Sequence, residues 1–539
     1  MQKRKLALQR KFFLLVAFIS FFTLAAATEE ANVATDSADA TYQRLYEFLT
    51  GYLAHDLELQ KLTITAQSKS LSLDASRISN GIALSLSTGT ITIRSAGDGT
   101  TVTLSSAATL ALPQQNDSSV SVKMPLTVTN APDAAKGTVV KNGTVELSTG
   151  IITGAAKTKR LAVLQAERAL LEAERAAEDR ALSAEKAFYS ELKTLYGYAV
   201  TAITEKNDLF DANDSFRTVV VKGYATDSRQ YRQSFLSLQS AVFDAVQAQR
   251  RLERGAANFA RACGISYPQP LTTDASTFDE IELAYRAAIE FLPAAVPEVA
   301  GLDVLSFPKE AYTATESALW AKRLAELKRD ADYELTLKAT GTYTFNDTSA
   351  GSDTVGAGVA LDWNGLTATA GVAVPTGSKL LDDGSAPSDD KSPVYTLSLG
   401  WTPNTLKQAR ISRAQDKLDM QLEEIAIQAA AESYESAVFD KQVSLRDLQW
   451  SRHFYTEELD MYTKLERDMK AWLDQGIITR ASYFDTRDSR DKAQLNLLIN
   501  AANFIIYNNE TKLLFHQSDA GTSADTAAAG SSTHTEAEE

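Results

Sequence analysis

Two stretches of the chain, residues 155–221 and 404–474, place apolar and small residues at helical spacing over many turns. At about 1.5 Å per residue, each stretch predicts a helical rod on the order of 100 Å long, far longer than a membrane-spanning helix. The other faces of the second rod are charged. Its seam consists of Ile411, Ala414, Leu418, Leu422, Ile425 and Ala429. The first rod has a narrow seam that permits close helix packing: Ala166, Ala169, Ala173 and Ala176.

Each rod breaks at a glycine and is followed by a shorter return helix, predicted at residues 226–263 and 480–515. Aligned without gaps, the two breaks pair Gly223 with Gly476 and Thr226 with Thr479. We interpret the two hairpins as an internal repeat, in which each copy buries its apolar stripe against a neighbour. The alternative, from these segments alone, is a chance likeness between amphipathic helices.

Two blocks of alternating residues, 82–153 and 333–402, predict strands with one apolar and one polar face. In the second block, one face collects the apolar positions: Tyr333, Leu335, Leu337, Ala339, Gly341, Tyr343 and Phe345. Asn364-Gly365 is a strong signal for a two-residue hairpin between two of these strands. A lipid-facing barrel with a wet interior fits this pattern. A soluble β-sandwich fits it equally well on the strands alone.

The elements follow the same order twice. The first repeat covers residues 28–270 and consists of helix 42–79, the strands, the rod and the return helix. The second repeat covers residues 271–516 and consists of short helices, helix 309–331, strands, a rod and a return helix. A long polar rod joined directly to amphipathic strands favours a barrel continued as a helical tube. One chain has too few strands to close such a barrel, so we expect an oligomer.

The chain begins with basic residues, an apolar run from Phe12 to Ala27 and three alanines before Thr28. This pattern predicts a Sec-type signal peptide over residues 1–27, with a retained anchor helix as the alternative. No later segment is a run of 18 apolar residues, so contact with a membrane must come through strands. The tail, residues 517–539, is too poor in apolar residues to fold and is predicted to be disordered.

The composition argues against nucleic-acid binding, metal binding and catalysis by this protein. The formal net charge is −15, which makes nucleic-acid binding a poor hypothesis. Cys263 is the only cysteine, and the four histidines are scattered without ligand spacing. No nucleophile motif or phosphate-binding loop stands out. We therefore expect no enzyme activity, no catalytic residue, no metal site and no cofactor.

With this order of elements, the chain resembles the TolC family of outer-membrane efflux proteins from about residue 40 to residue 516. The likeness is carried also by LSLGWTPNTLKQARISRAQDKL at the strand-to-rod junction and by DQGIITRASYFDTRDSRDKAQLNLL at the second hairpin. It implies an α+β membrane protein: a homotrimer with an outer-membrane β-barrel continued by a periplasmic α-helical barrel. Its implied role is passive export of small molecules or proteins, as the exit channel of a tripartite efflux pump or type I secretion system.

The resemblance also implies partners and sites. A periplasmic adaptor (membrane fusion protein), itself joined to an inner-membrane pump, would dock at the hairpin tips, and by position these are Val221, Gly223, Thr226, Gly476 and Thr479. Acidic residues after the second tip narrow the family's periplasmic aperture, and Asp485 and Asp488 stand there in this chain. The family's other acidic position is Ser482 here, which weakens the expected acidic ring. The alternative for Asp485 is an ordinary solvated charge paired with a nearby arginine.

The strands depart from the family, which contributes two per repeat, whereas each half here offers about four. Either the extra pairs are long extracellular hairpins, which the composition of residues 347–352 and 375–393 favours, or the barrel is larger. Two other functions stay open. One is a periplasmic adaptor-like protein, although adaptors carry a single helical hairpin. The other is a structural surface protein that keeps the fold without transport.

Overall fold

The computed structural model describes residues 35–96, 99–113, 115–130, 138–268, 277–332, 335–346, 353–376 and 392–515. The predicted signal peptide, the predicted tail and the connection 347–352 lie outside these ranges. The chain divides into two compact units, which we call the helical unit (1–57, 181–303 and 441–513) and the sheet unit (58–180, 304–440 and 514–539). Each unit therefore draws on both sequence halves, since each half runs through both units.

Eight α-helices occur in the described residues, and the two rods lie where the apolar spacing predicts them. Their bounds are α1 Thr35–Ala54, α2 Leu57–Ser79, α3 Ala155–Val221, α4 Arg229–Ala262, α5 Phe278–Phe291, α6 Thr313–Ala331, α7 Pro403–Asp474 and α8 Arg480–Leu514. The single helix predicted at 42–79 is broken between α1 and α2, and 309–331 begins as a 3-10 turn, Lys309–Ala311. None of the described helices is both long and apolar enough to span a bilayer.

The sheet unit contains one antiparallel sheet of nine strands in the described residues. The strands are β1 Ala83–Ser87, β2 Ile91–Ala96, β3 Gly99–Leu112, β4 Ser118–Asn130, β5 Thr138–Ile152, β6 Leu335–Asn346, β7 Asp353–Trp363, β8 Leu366–Thr376 and β9 Val394–Trp401. Both β1 and β2 pair with β3, one after the other, and every later strand pairs with the next. Each half of the chain thus supplies four strand rows, and β5–β6 joins the halves.

This sheet corrects the preference for separate extracellular hairpins. The middle strands β7 and β8 pair with each other from Asp353 to Trp363, and β7 also pairs with β6 along nearly its whole length. The extra strands are therefore members of the main sheet. The turn between β7 and β8 is Asn364-Gly365, with positive φ at both residues, as this dipeptide predicts.

One face of the sheet is apolar across all of its strands. Cross-strand pairs such as Leu84 with Leu110 and Val359 with Ala370 place aliphatic and aromatic residues side by side. Many of these side chains are exposed, including Leu84, Leu86, Ile91, Ile93, Met124, Leu147, Tyr343, Val355, Val359, Trp363, Val374, Tyr395, Leu397, Leu399 and Trp401. The opposite face carries mainly serine, threonine and glycine.

On that polar face, threonines lie directly over glycines of the neighbouring strand. A Cβ atom added at Gly358, Gly371 or Gly400 would come within 2.8, 2.8 or 2.6 Å of a threonine Oγ1. The hydroxyl groups of Thr340 and Thr396 donate to the glycine carbonyls of the paired strand at 3.4 Å. Small residues on one face and large ones on the other favour a sheet that curls with its polar face on the concave side.

The helical unit is held by an aromatic and aliphatic core to which α1, α3, α4, α5 and α8 all contribute. Phe48 of α1 stacks on Phe259 of α4 at 5.6 Å and meets Phe291 of α5 edge-on at 5.3 Å. Phe188 of α3 packs on the same ring of Phe259 at 5.2 Å. This core fixes the helices that carry the hairpin tips.

Candidate functional site

The two hairpin tips share one backbone conformation. Gly223 and Gly476 both have a φ of 71°, which is strained for any residue with a side chain. The amide of Gly223 donates to the carbonyl of Val220 at 3.0 Å, and that of Gly476 donates to the carbonyl of Leu473 at 2.9 Å. Both glycines therefore end a rod in the same way, which agrees with the alignment of the two breaks.

The return helices begin at different distances from these glycines. Ser228 caps α4 by accepting from the amide of Tyr231 at 3.2 Å, and Thr479 caps α8 by accepting from the amide of Ser482 at 3.3 Å. The first turn is longer, so Thr226 is not the capping counterpart of Thr479. The five tip residues of the sequence prediction are all exposed: Val221, Gly223, Thr226, Gly476 and Thr479.

Asp485 is exposed on the first turns of α8, as an aperture residue must be. Its charge acts on Asp211 of α3, a neighbour that sequence reasoning missed. Burial raises the pKa of Asp211, and the charges of Asp485, Asp208 and Asp214 raise it further. These four carboxylates form an exposed group, which we call the acidic face. Asp208, Asp211 and Asp214 recur every third position of α3, a spacing that could have revealed the group.

Asp488 has a different environment from Asp485, because its side chain is buried within the described residues. Its side chain is 1% exposed, and its Oδ2 lies 3.0 Å from Nζ of Lys206, which is also 1% exposed. Lys206 pairs in addition with Glu282 of α5. Arg487 completes the group, 3.0 Å from Glu282 and 2.8 Å from Asp488. We call these four residues the buried ion cluster.

The buried ion cluster joins α3, α5 and α8, three helices that are distant in sequence. Burial raises the pKa of Glu282, but the hydrogen bond and charge of Lys206, with Arg286 and Arg487, outweigh it, so the pKa lies below its ordinary value. Phe278 and Phe484, 6.0 Å apart, pack nearby and restrict water. Two cations facing two carboxylates satisfy each other, so the cluster is a structural link without a reactive group.

Two observations concern the reactive side chains of the described residues. They contain no group of three or more histidine, cysteine, aspartate or glutamate side chains placed to hold a metal ion. The thiol of Cys263 is buried, and burial raises its pKa to about 12, which keeps it protonated and unreactive.

Sheet and hairpins together define a two-part α+β protein with an exposed apolar sheet face. Residues 48–281 match the family model described as the TP096X N-terminal domain, and residues 297–518 match the TP096X C-terminal domain. The two matches follow each other in this order and together span most of the chain. The chain belongs to the TP096X family. No curated protein matches it.

Several of the solved structures that match are described as outer membrane channels. The CmeC outer membrane channel of Campylobacter jejuni is 12% identical, covers 92% of this chain and 91% of its own, and has a TM-score of 0.41. The MtrE outer membrane channel of Neisseria gonorrhoeae is 12% identical over 87% and 88% of the chains, with a TM-score of 0.39. The outer membrane protein VceC of Vibrio cholerae is 11% identical over 88% and 96%, with a TM-score of 0.37.

The buried ion cluster generates a stability prediction. Lys206→Met leaves the buried Asp488 with Arg487 as its cationic partner, while Glu282 keeps Arg286 and Arg487, and breaking a buried pair costs about 3–5 kcal/mol. The matched control is Lys186→Met, which removes a half-exposed partner of Glu510 and should cost at most about 1 kcal/mol. Chemical denaturation of the full chain measures both variants. Equal losses of unfolding free energy in the two variants would contradict the assignment of Lys206 to a buried ion pair.

The same cluster predicts a pH dependence with a definite sign. Because the pKa of Glu282 is lowered in the folded state, its contribution to stability is complete above its ordinary value of 4.5. It is lost as the pH falls through the lower folded value. The stability difference between wild type and Lys206→Met should therefore shrink below about pH 4.5. A stability difference between the two proteins that stays constant down to pH 3 would contradict the lowered pKa of Glu282.

Proposed function

We propose that this protein is a passive outer-membrane exit channel. The observation that carries the proposal is the two-faced sheet, in which large apolar side chains are exposed on one face of every described strand row. In water such a face costs roughly 25 cal/mol per Å² of apolar surface. A bilayer removes that cost, and the serine and threonine face then lines a wet interior.

The distribution of aromatic residues along the strands supports a lipid-facing surface. Trp363 and Trp401 lie at the end of the sheet where the Asn364-Gly365 turn is located. Tyr343 and Tyr395 lie toward the other end of their strands, with aliphatic residues between. Aromatic residues at both edges of an apolar band are typical of strands that cross a membrane, because their rings prefer the interface.

An open sheet of eight strand rows has two free edges, so the proposed barrel forms from several copies. We propose a homotrimer, in which each chain contributes two tandem structural repeats and the α-helices of the three copies form a periplasmic barrel. The exposed apolar residues of α7 support association. In the part of the chain that the structure describes, five of its large apolar side chains are 41–71% exposed: Trp450, Phe454, Met461, Leu465 and Trp472.

The tips are the proposed docking surface for a periplasmic adaptor. The residues at both turns are exposed, Val221 and Ile477 among them, and each turn contains a glycine with positive φ. The full proposal is the exit channel of a tripartite efflux pump or type I secretion system, with an inner-membrane pump supplying the energy. It exports small molecules or proteins. An adaptor-like role is disfavoured by the two hairpins and the apolar sheet face, whereas a structural surface role differs only in lacking transport.

The membrane face is tested by tryptophan fluorescence. In a variant that keeps only Trp363 and Trp401 of the five tryptophans, brominated lipid should quench most of the emission of the reconstituted protein. The matched control keeps only Trp450 and Trp472, which lie on α7 and should be quenched little. Equal quenching of the two variants, or recovery of the protein without detergent, would favour the β-sandwich and reject the channel.

The docking surface is tested at the second tip. Gly476→Val forces a β-branched residue to a positive φ, at a cost of about 1–3 kcal/mol in the turn. We expect loss of cross-linking from a photoreactive residue at position 477 to the adaptor, and loss of export, with normal amounts of channel. Gly197→Val is the control, since that glycine has open space at an ordinary helical φ. Normal export by the Gly476 variant would remove the tip from the proposal.

The aperture is tested by conductance. If Asp485 and Asp211 face the passage, their negative field attracts cations. Asp485→Asn and Asp211→Asn should each move the cation-to-anion permeability ratio of channels in planar bilayers toward unity. Asp447→Asn, an exposed acid elsewhere on α7, should leave the ratio unchanged. If Asp485→Asn also leaves it unchanged, Asp485 is an ordinary solvated charge.

A further inference from the structure

The two hairpin tips share a backbone turn but differ in charge. Residues 217–232 around the first tip align without gaps with residues 470–485 around the second. The first window contains four cationic residues and one acidic residue: Arg217, Lys222, Arg229, Arg232 and Asp227. The second window contains two of each kind: Lys470, Arg480, Asp474 and Asp485. Because the whole chain has a formal net charge of −15, the first tip is a basic surface on an acidic protein.

The four cations of the first tip, which we call the basic tip, are all exposed to solvent. Among the residues that the structure describes, none of the four lies within salt-bridge distance of a carboxylate. At the second tip, in contrast, the guanidinium of Arg480 lies 4.9 Å from the ring of Phe484. The basic tip therefore keeps its charge available for another molecule.

Aromatic packing holds the ends of α3 and α4 together at the basic tip. The ring of Phe216 on α3 lies 5.3 Å from that of Tyr231 and 5.8 Å from that of Phe235, both on α4. Arg217 follows Phe216 directly, and Arg232 follows Tyr231. This contact brings the two arginines to one level of the hairpin. The basic tip is therefore a single surface to which both helices contribute.

Helix stability does not explain the arginines of α4. The amino-terminal end of a helix carries a partial positive charge, which favours acidic side chains in the first turn and disfavours cations. The first turn of α4 contains no acidic residue, and both Arg229 and Arg232 lie there. The two arginines thus oppose the helix dipole. An anionic group bound beside them would remove this unfavourable interaction.

Exposed apolar side chains lie between the cations of the basic tip. Val220, Val221 and Tyr224 are 49%, 82% and 43% exposed. The two valines end α3, and Tyr224 follows the turn glycine. An apolar centre with a polar rim is the usual composition of a surface that binds another protein. The partner that fits this tip carries carboxylates around an apolar centre.

We propose that the basic tip binds an acidic segment of the periplasmic adaptor, whereas the second tip contacts the adaptor without this charge preference. The proposal rests on the docking surface of the proposed function and names the chemistry of its partner. Three of the four cations are arginines, whose planar guanidinium groups match a carboxylate with two parallel hydrogen bonds. Complementary charge also suppresses wrong orientations, so the two tips receive different parts of the partner.

An anionic bilayer is the other surface that cations with exposed aliphatic residues fit. Two exposed carboxylates weigh against it: Asp227 lies in the turn itself, and Asp214 lies three residues before Arg217 on α3. A flat anionic surface would approach these carboxylates together with the cations. A protein segment can contact the cations alone, and it is therefore the better fit.

Binding of an acidic polypeptide tests the basic tip directly. The full chain in nanodiscs of zwitterionic lipid is titrated with fluorescent poly-L-glutamate. Binding should weaken as salt rises, since the Debye length falls from about 8 Å at about 0.15 M to about 3 Å at about 1 M. Arg217→Glu and Arg229→Glu should each weaken binding roughly fivefold at the lower salt concentration. The matched control is Lys470→Glu, which reverses the aligned, exposed cation of the second tip and should leave binding unchanged.

Arg217→Gln removes the charge without reversing it and should have a smaller effect in the same direction, so it serves where the reversed variant lowers the amount of folded channel. Equal weakening by Arg217→Glu and Lys470→Glu would refute the proposal, and so would binding that does not change with salt. Phosphatidylglycerol vesicles are the second probe. If they bind, and poly-L-glutamate does not, the basic tip contacts a membrane surface and the proposal is wrong.

Cross-linking to the adaptor in cells separates the basic tip from docking as such. A photoreactive residue replaces Val221 or Ile477, and the yield of adaptor cross-links is compared between the wild-type chain and Arg229→Glu. The substitution should reduce cross-linking from position 221 at least about fivefold and from position 477 less. Cross-links from neither position in the wild type would refute the docking of the proposed function. Cross-links from position 221 that Arg229→Glu leaves unchanged would refute only the acidic contact.

Discussion

The structure depends on a sheet that cannot be stable alone in water. Its apolar face is continuous from Leu84 on β1 to Leu399 on β9, and in the channel that we propose a bilayer covers this apolar surface, whose exposure to water is unfavourable. The same requirement explains the polar face, because backbone and side-chain polar groups must then be satisfied within the sheet or by water on the inner side. The free edges follow from it too, since an unpaired edge in a bilayer leaves backbone groups without partners.

The helical unit is stabilised in a different way from the sheet. Helices in proteins are stabilised mainly by tertiary packing, and the rod α3 packs into the aromatic core around Phe48 and Phe259 and into the buried ion cluster. Apolar side chains packed at the same site would often stabilise the fold as well as these buried charges do. Its geometry requires Lys206 of α3, Glu282 of α5 and Asp488 of α8 to meet at one point. It therefore specifies the pairing of the two hairpins more narrowly than apolar packing would.

Local patterns predicted the elements well, and tertiary contacts decided what they missed. The rods and strands follow from periodicity alone, as in Leu335–Asn346, where apolar residues alternate with polar ones. The buried ion cluster could not be foreseen, because Lys206, Glu282 and Asp488 are far apart in sequence. Asp485 and Asp488 are three residues apart on α8, so their side chains point about 60° apart around the helix axis. That difference places Asp485 in water and Asp488 in the core.

The threonines over the glycines have a consequence for whatever passes along the polar face. Thr340, Thr367 and Thr396 already donate their hydroxyl hydrogens to glycine carbonyls of the adjacent strand, at 3.4–3.5 Å. In the channel that we propose, a solute that passes these three threonines meets methyl groups and hydroxyls whose hydrogens are already engaged. At these positions water can hydrate the wall of the proposed channel, and hydrogen bonds from the wall delay a passing molecule little.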